Sequence, residues 1–165
     1  METFNFNSLN LKKIKTAIDV GCGNGRHLKS LGFRLLNAKI IGIDQSGKEI
    51  TKLQDEFSNH ICKNQNSYEF LMGDVRNIEI EDNSQDLVIC SEVLEHLYQP
   101  LESLIELRRI LSDDGYLIVT VPNGDRISID KVIKNKKKFQ PADDVLSTYS
   151  ELNYIFRKAG FRMIH

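Results

Sequence analysis

The octapeptide Ile18-Asp19-Val20-Gly21-Cys22-Gly23-Asn24-Gly25 constrains the fold more than any other stretch of the chain. Its apolar head reads as a buried strand, and its three alternating glycines read as a tight turn that opens a helix near Arg26. Such a turn tolerates positive φ, lets a ligand approach the backbone closely, and presents unpaired helix N–H groups to a nucleotide-like molecule. The spacing excludes one ligand class. A dinucleotide turn places its third glycine one position later, where this chain has Arg26. Arg26 therefore argues against NAD, and no hydride-transfer constellation supports a nicotinamide-dependent oxidoreductase.

The remaining periodicity alternates strand with helix. Short runs rich in Ile, Val and Leu at Ala17–Val20, Lys39–Ile43, Tyr68–Met72, Leu87–Cys90 and Tyr116–Val121 have the character of parallel strands covered on both faces. Between them, Ile50, Leu53 and Phe57 repeat at helical spacing, as do Leu101, Leu104, Ile105 and Leu111, with Pro100 suited to a first turn. A last stripe, Leu152, Ile155, Phe156 and Ala159, is expected to begin at Ser150 and stop at Gly160. Asn77 to Gln85 is too short and acidic for a long crossover helix and reads as a loop. Crossovers of this kind build an open, doubly wound α/β sheet, expected to be one domain over residues 1–165.

Lys plus Arg total 22 against 23 Asp plus Glu, for a net charge of −1 and a pI of about 6.4, so no global field recruits nucleic acid. Neither a signal peptide nor a membrane span is expected, and cytoplasmic residence follows. Cys22, Cys62 and Cys90 are odd in number and scattered, which fits reduced, buried thiols better than a disulfide framework. The run Lys131, Lys134, Lys136, Lys137 and Lys138 reads as a solvated face, with a phosphate or RNA contact as the alternative. His27 reads as a packing or capping residue, and His60 gives no signal.

The glycine turn resembles the first motif of the class I S-adenosylmethionine-dependent methyltransferases, of the type 11, ubiquinone-pathway-like kind. Four further stretches match in that family's order: IIGID ending at Asp44, FLMGDV (Phe70 to Val75), DLVICSEVLEHL (Asp86 to Leu97), and LRRILSDDGYLIVTVPN (Leu107 to Asn123). YSELNYIFRKAGF (Tyr149 to Phe161) is similar to the last helix. The resemblance implies a Rossmann-like sheet and S-adenosylmethionine as cofactor. By the same resemblance, Gly21, Gly23 and Gly25 carry backbone contacts to the methionine end, Asp19 orders the turn or meets the cofactor amine, and Cys22 and Asn24 are wall residues. Asp44, with Gln45 beside it, binds the ribose hydroxyls, Asp74 and Val75 take the adenine, and Cys90 and Ser91 sit near the methionine moiety.

Methyl transfer from a sulfonium is an in-line displacement, so the chain must chiefly position the acceptor and remove a proton where the acceptor carries one. Ser91-Glu92-Val93-Leu94 stands where many nucleic-acid amino-methyltransferases carry Asp/Asn-Pro-Pro-Tyr/Phe, which argues against that mechanism. Glu92, Glu95 and His96 are the catalytic candidates, since on a helical turn they project from one face. A similar Glu-x-x-Glu-His set holds a metal in small-RNA 2′-O-methyltransferases, but no further histidine follows before His165, so no metal is expected.

The expected acceptor is a small molecule. The alternatives are a catalytically idle cofactor-binding domain serving a partner subunit, and an RNA 2′-O-methyltransferase-like enzyme. The family's closing antiparallel hairpin is expected to be cut short at Phe161–His165, leaving the fifth strand an exposed edge for a homodimer or partner subunit. Little precedes the first strand, so Phe4, Phe6 and Leu9 are expected only to plug a core edge.

Overall fold

The computed structural model describes residues 6, 9–58, 64–122 and 148–162. The lysine run, Phe4, His60, Cys62 and the chain beyond Arg162 lie outside the described residues. Five strands, β1 (Thr16–Val20), β2 (Lys39–Asp44), β3 (Ser67–Met72), β4 (Gln85–Ser91) and β5 (Leu111–Thr120), form one sheet in the order β3-β2-β1-β4-β5. Every pairing is parallel. Helices α1 (Arg26–Arg34), α2 (Gly47–Ser58), α3 (Pro100–Ile110) and α4 (Tyr149–Lys158), with short 3₁₀ turns at Leu11–Lys13 and Leu94–His96, complete the described elements.

The strand period of two divides the core into layers. On one face, Ala17, Ile40, Leu87 and Ile89 pack with Leu28, Leu31, Leu53 and Phe57 of α1 and α2. On the other, Ile18, Val20, Ile41, Ile43, Val88 and Cys90 pack with Leu104, Leu107 and Ile110 of α3, and with Ile155 and Phe156 of α4. Asp86 fixes the start of β1, its Oδ2 accepting from the backbone N–H groups of Lys15 (2.7 Å) and Thr16 (3.0 Å).

The stretch from Asn77 to Ser84 is a loop, with Gln85 opening β4. Arg109 of α3 clamps it, donating to the carbonyls of Ile78 (2.7 Å) and Ile80 (2.8 Å) and pairing with Asp82 and Glu106. Glu106 in turn accepts from the Ile78 N–H at 2.7 Å. Three local expectations are corrected. Leu111 ends no helix but opens β5 opposite Gln85, and Ile105 faces solvent while Ser103, Leu104, Leu107 and Ile110 are buried. The N-cap of α4 is Thr148 rather than Ser150, because Thr148 and Glu151 form a reciprocal capping box.

β1 lies between β2 and β4, so the chain leaves its centre in opposite directions on the two sides. At such a switch the loops beyond the strand ends diverge and leave a crevice. The described part of the molecule places its candidate site there.

Candidate functional site

The turn after β1 is held by its neighbours. The N–H groups of Gly21 and Cys22 both donate to the Ile43 carbonyl, at 2.8 and 2.9 Å. Gly21, Gly23 and Gly25 adopt φ values of 74°, 49° and 74°, which side-chain-bearing residues rarely tolerate. A Cβ on Gly21 would lie 2.3 Å from Val93 Cγ2, whereas one on Gly23 would meet nothing within 4 Å. Gly23 thus leaves open space over the turn.

Asp44, at the end of β2, ties the crevice together. Its Oδ2 accepts from the Gly23 N–H and its Oδ1 from the Ser46 N–H, both at 2.8 Å. Asp19 lies deeper, 1% exposed, and neither carboxylate oxygen has a hydrogen-bond partner among the described residues. Burial pushes its pKa up to about 7, with Arg26 pulling it down and Asp44 pushing it further up.

A cavity of about 570 Å³ opens beyond these strand ends. Of the residues singled out from the sequence, Gly21, Asp44, Gln45, Asp74, Val75, Glu92 and His96 line it. Gly23, Asn24 and Gly25 complete the turn outside that lining. Cys22 and Cys90 are buried in the two core layers, and burial raises both thiol pKa values. They belong to the packing rather than to the cavity wall. Ser91 is also buried, its hydroxyl 2.6 Å from that of Thr120.

The expected common face of Glu92, Glu95 and His96 is split. Glu92 takes φ +57°, and a short 3₁₀ turn at Leu94–His96 follows in place of a longer helix. Glu92 and His96 consequently line the cavity while Glu95 turns into the core, 4% exposed. Among the described residues no group of three or more His, Cys, Asp or Glu side chains is gathered to hold a metal.

Three participants escaped the sequence reading. Thr120 Oγ1 donates to Glu92 Oε1 at 3.0 Å, extending the Ser91–Thr120 contact into the cavity. Arg76 engages both oxygens of Asp74 and holds its carboxyl down at about 2. Val93 packs where a Gly21 side chain would stand. Signals existed only for Arg76, an i+2 partner of Asp74; Thr120 and Val93 depend on strand pairing and on the chain's path after β4.

Comparison with known proteins decides the family. The sequence profile of the methyltransferase domain family matches residues 18–119, which is most of the chain and includes the carboxyl ends of β1, β2, β3 and β4. The chain belongs to the class I S-adenosylmethionine-dependent methyltransferases. This methyltransferase domain is 36% identical over 104 residues to the tRNA U34 carboxymethyltransferase of Campylobacter curvus, covering 61% of the chain and 32% of that protein. The chain spans about a third to two fifths of the length of the first curated relatives it matches, at 34%, 40% and 32% of each.

Among solved structures, a SAM-dependent methyltransferase from Aquifex aeolicus superposes with a TM-score of 0.71 at 25% identity, covering 92% of this chain and 74% of that one. A chain in complex with the Haloferax volcanii Trm112 methyltransferase activator superposes with a TM-score of 0.74 at 22% identity, covering 93% and 63%. The cofactor of the methyltransferase domain is S-adenosylmethionine, and the crevice fits it. An ammonium group compensates a buried carboxylate such as Asp19, and the space above Gly23 admits close backbone approach. No helix among the described residues is long and apolar enough to cross a membrane.

Proposed function

We propose that this domain catalyses methyl transfer from S-adenosylmethionine to an acceptor held against Glu92 and His96. The observation that carries the reading is convergence. One cavity joins the turn after β1, the carboxylates closing β2 and following β3, and the strained Glu92 after β4. When bound, the cofactor supplies an electrophilic methyl group on a sulfonium.

The chain's residues then divide the work. Gly21, Gly23 and Gly25 form the backbone cradle for the amino-acid end, with Cys22 and Asn24 fixing its shape and Asp19 meeting the ammonium. Asp44 and Gln45 hold the ribose, Asp74 and Val75 the adenine, and Cys90 and Ser91 support the floor beneath the methionine end. Glu92, steered by Thr120, takes the acceptor's proton; His96 contacts the acceptor; Glu95 braces the turn that carries both. The two buried, free thiols support action in a reducing compartment, the cytoplasm.

The acceptor is a small molecule on the argument that the cavity wall is acidic: Asp44, Asp74, Glu92 and Glu102 face it against, among the described residues, Arg76 alone of the Lys and Arg side chains. A tRNA acceptor is the second reading, favoured by the tRNA U34 carboxymethyltransferase relatives. The neighbour in complex with an activator supports a third, a domain working with a partner subunit. Calorimetry and turnover of Glu92→Gln test the assignment. Affinity for S-adenosylmethionine should stay within about threefold, while transfer falls by about 10²–10⁴, the range of a lost general base. Full turnover in that variant, or no cofactor binding by the unaltered chain, overturns the reading.

A further inference from the structure

A second groove, of about 690 Å³, adjoins that cavity and runs over the face of β2 and β3 that carries Ile41, Ile43 and Leu71. A doubly wound sheet needs a helix on each face, and among the described residues only α3 and α4 supply helical side chains to this one. The connection from Gly73 to Ser84 is too short to supply another, and the only aliphatic side chains it gives the wall are Ile78 and Ile80. Leu71 and Ile80 stay half-exposed, and Met72 is 71% exposed at the rim.

Two further observations define what fits there. Among the described residues no strand pairs with the outer side of β3, which leaves a sheet edge beside the groove. The rim is acidic: Lys39 is taken up by Glu69 at 2.7 Å, and Asp82 by Arg109, while exposed Glu79 and Glu81 engage no cation among the described residues. The repeat of a strand edge matches another extended chain and not a small ligand, and the carboxylates repel nucleic acid and anionic lipid.

We propose that this groove is a docking surface for a partner protein, which lays an amphipathic segment bearing Lys or Arg side chains along β3. Its apolar side chains cover Leu71 and Ile80, and its cations meet Glu79 and Glu81. The groove shares Ile43, Gly73 and Asp74 with the cavity beyond β1, so the occupant rests against the loop that lines both.

The test places a photo-cross-linking amino acid at Met72 in the full chain, in cells that make it, and sequences the cross-linked peptides. A control chain carries the cross-linker at Phe33, an exposed apolar position on α1. The expected adduct is one other protein, joined through a segment in which Lys or Arg alternates with apolar residues. The synthetic form of that segment should bind at least about tenfold more weakly to the Glu79→Lys/Glu81→Lys variant, and a charge-swapped form should regain binding to it. Both glutamates are exposed, so an unchanged melting midpoint verifies that the variant folds. Adducts confined to this chain, to nucleic acid or to a segment indifferent to the charge reversal overturn the proposal, as does a yield at Met72 no greater than at Phe33.

Discussion

Asp19 is where the cofactor-free fold is least stable for its own sake. Its carboxyl ionises at about 7 in the folded chain against 3.8 when solvated, because burial disfavours the charged form. Below pH 3.8 both states are protonated and the residue is neutral in its effect. From there to about 7 the unfolded chain ionises first, so stability falls as pH rises; above 7 the full loss persists. At about 1.4 kcal/mol per unit, that loss is on the order of 4 kcal/mol. Asp19→Asn should therefore raise the denaturation free energy of the cofactor-free protein at pH 8 and leave it nearly unchanged at pH 3.5, as urea titration at the two values measures. The same variant should weaken cofactor binding by at least about tenfold, since the ammonium loses its counter-charge. Equal wild-type and variant stability at pH 8 would remove the argument. Asp19 was legible from the sequence as a candidate by its place before the glycines, but its isolation was not. That property depends on the Ile43 carbonyl and on Asp44 claiming the turn's N–H groups.

Among the elements, the loop between β3 and β4 shows how a connection lacking a helix is kept in place. Arg109 reaches across from α3 and satisfies two of its carbonyls, while Glu106 satisfies the Ile78 N–H and holds Arg109 on its other side. Breaking such a set leaves backbone groups unpaired, at about 1–3 kcal/mol for each buried one. Arg109→Ala is expected to destabilise the protein by about 2–4 kcal/mol in chemical denaturation, and Arg109→Lys should recover little. A compact ammonium, with its three donors on a single nitrogen, does not reproduce the planar guanidinium fork. Recovery of full stability by lysine would show that charge alone suffices. The loop itself was legible from Asn77–Gln85, because acidic, short and aperiodic segments do not form crossover helices. Its fastening was not, since Arg109 continues an unremarkable helical charge pattern. Boundaries failed for similar reasons. Leu111 keeps the period of α3 and yet pairs with Gln85, and Thr148 displaces Ser150 as the cap because Glu151 sits three residues beyond it.

For the whole molecule, the order β3-β2-β1-β4-β5 is what turns separate motifs into one site. Each motif was legible alone, as a strand running into a polar or glycine-rich end. Their meeting followed from the parallel, doubly wound topology, which puts every strand's carboxyl end on the same side. Glu92 and His96 could not be separated from Glu95 on sequence, because the left-handed backbone at Glu92 breaks the expected helical face. This arrangement makes a cooperative prediction. S-adenosylmethionine at about a hundred times its dissociation constant should stabilise the fold by ~2.7 kcal/mol. For a chain of this size that raises the melting midpoint by ~5–10 °C. Hydrogen exchange should then slow together at three stretches far apart in sequence, Gly21–Gly23, Gly73–Val75 and Glu92–His96, because the proposed cofactor site spans all three strand ends. The middle of α1, on the covered side of the sheet, should gain only the global increment. Protection confined to the glycine turn would mean that the three ends do not act as one cavity, and the division of roles among β1, β3 and β4 would fall with it.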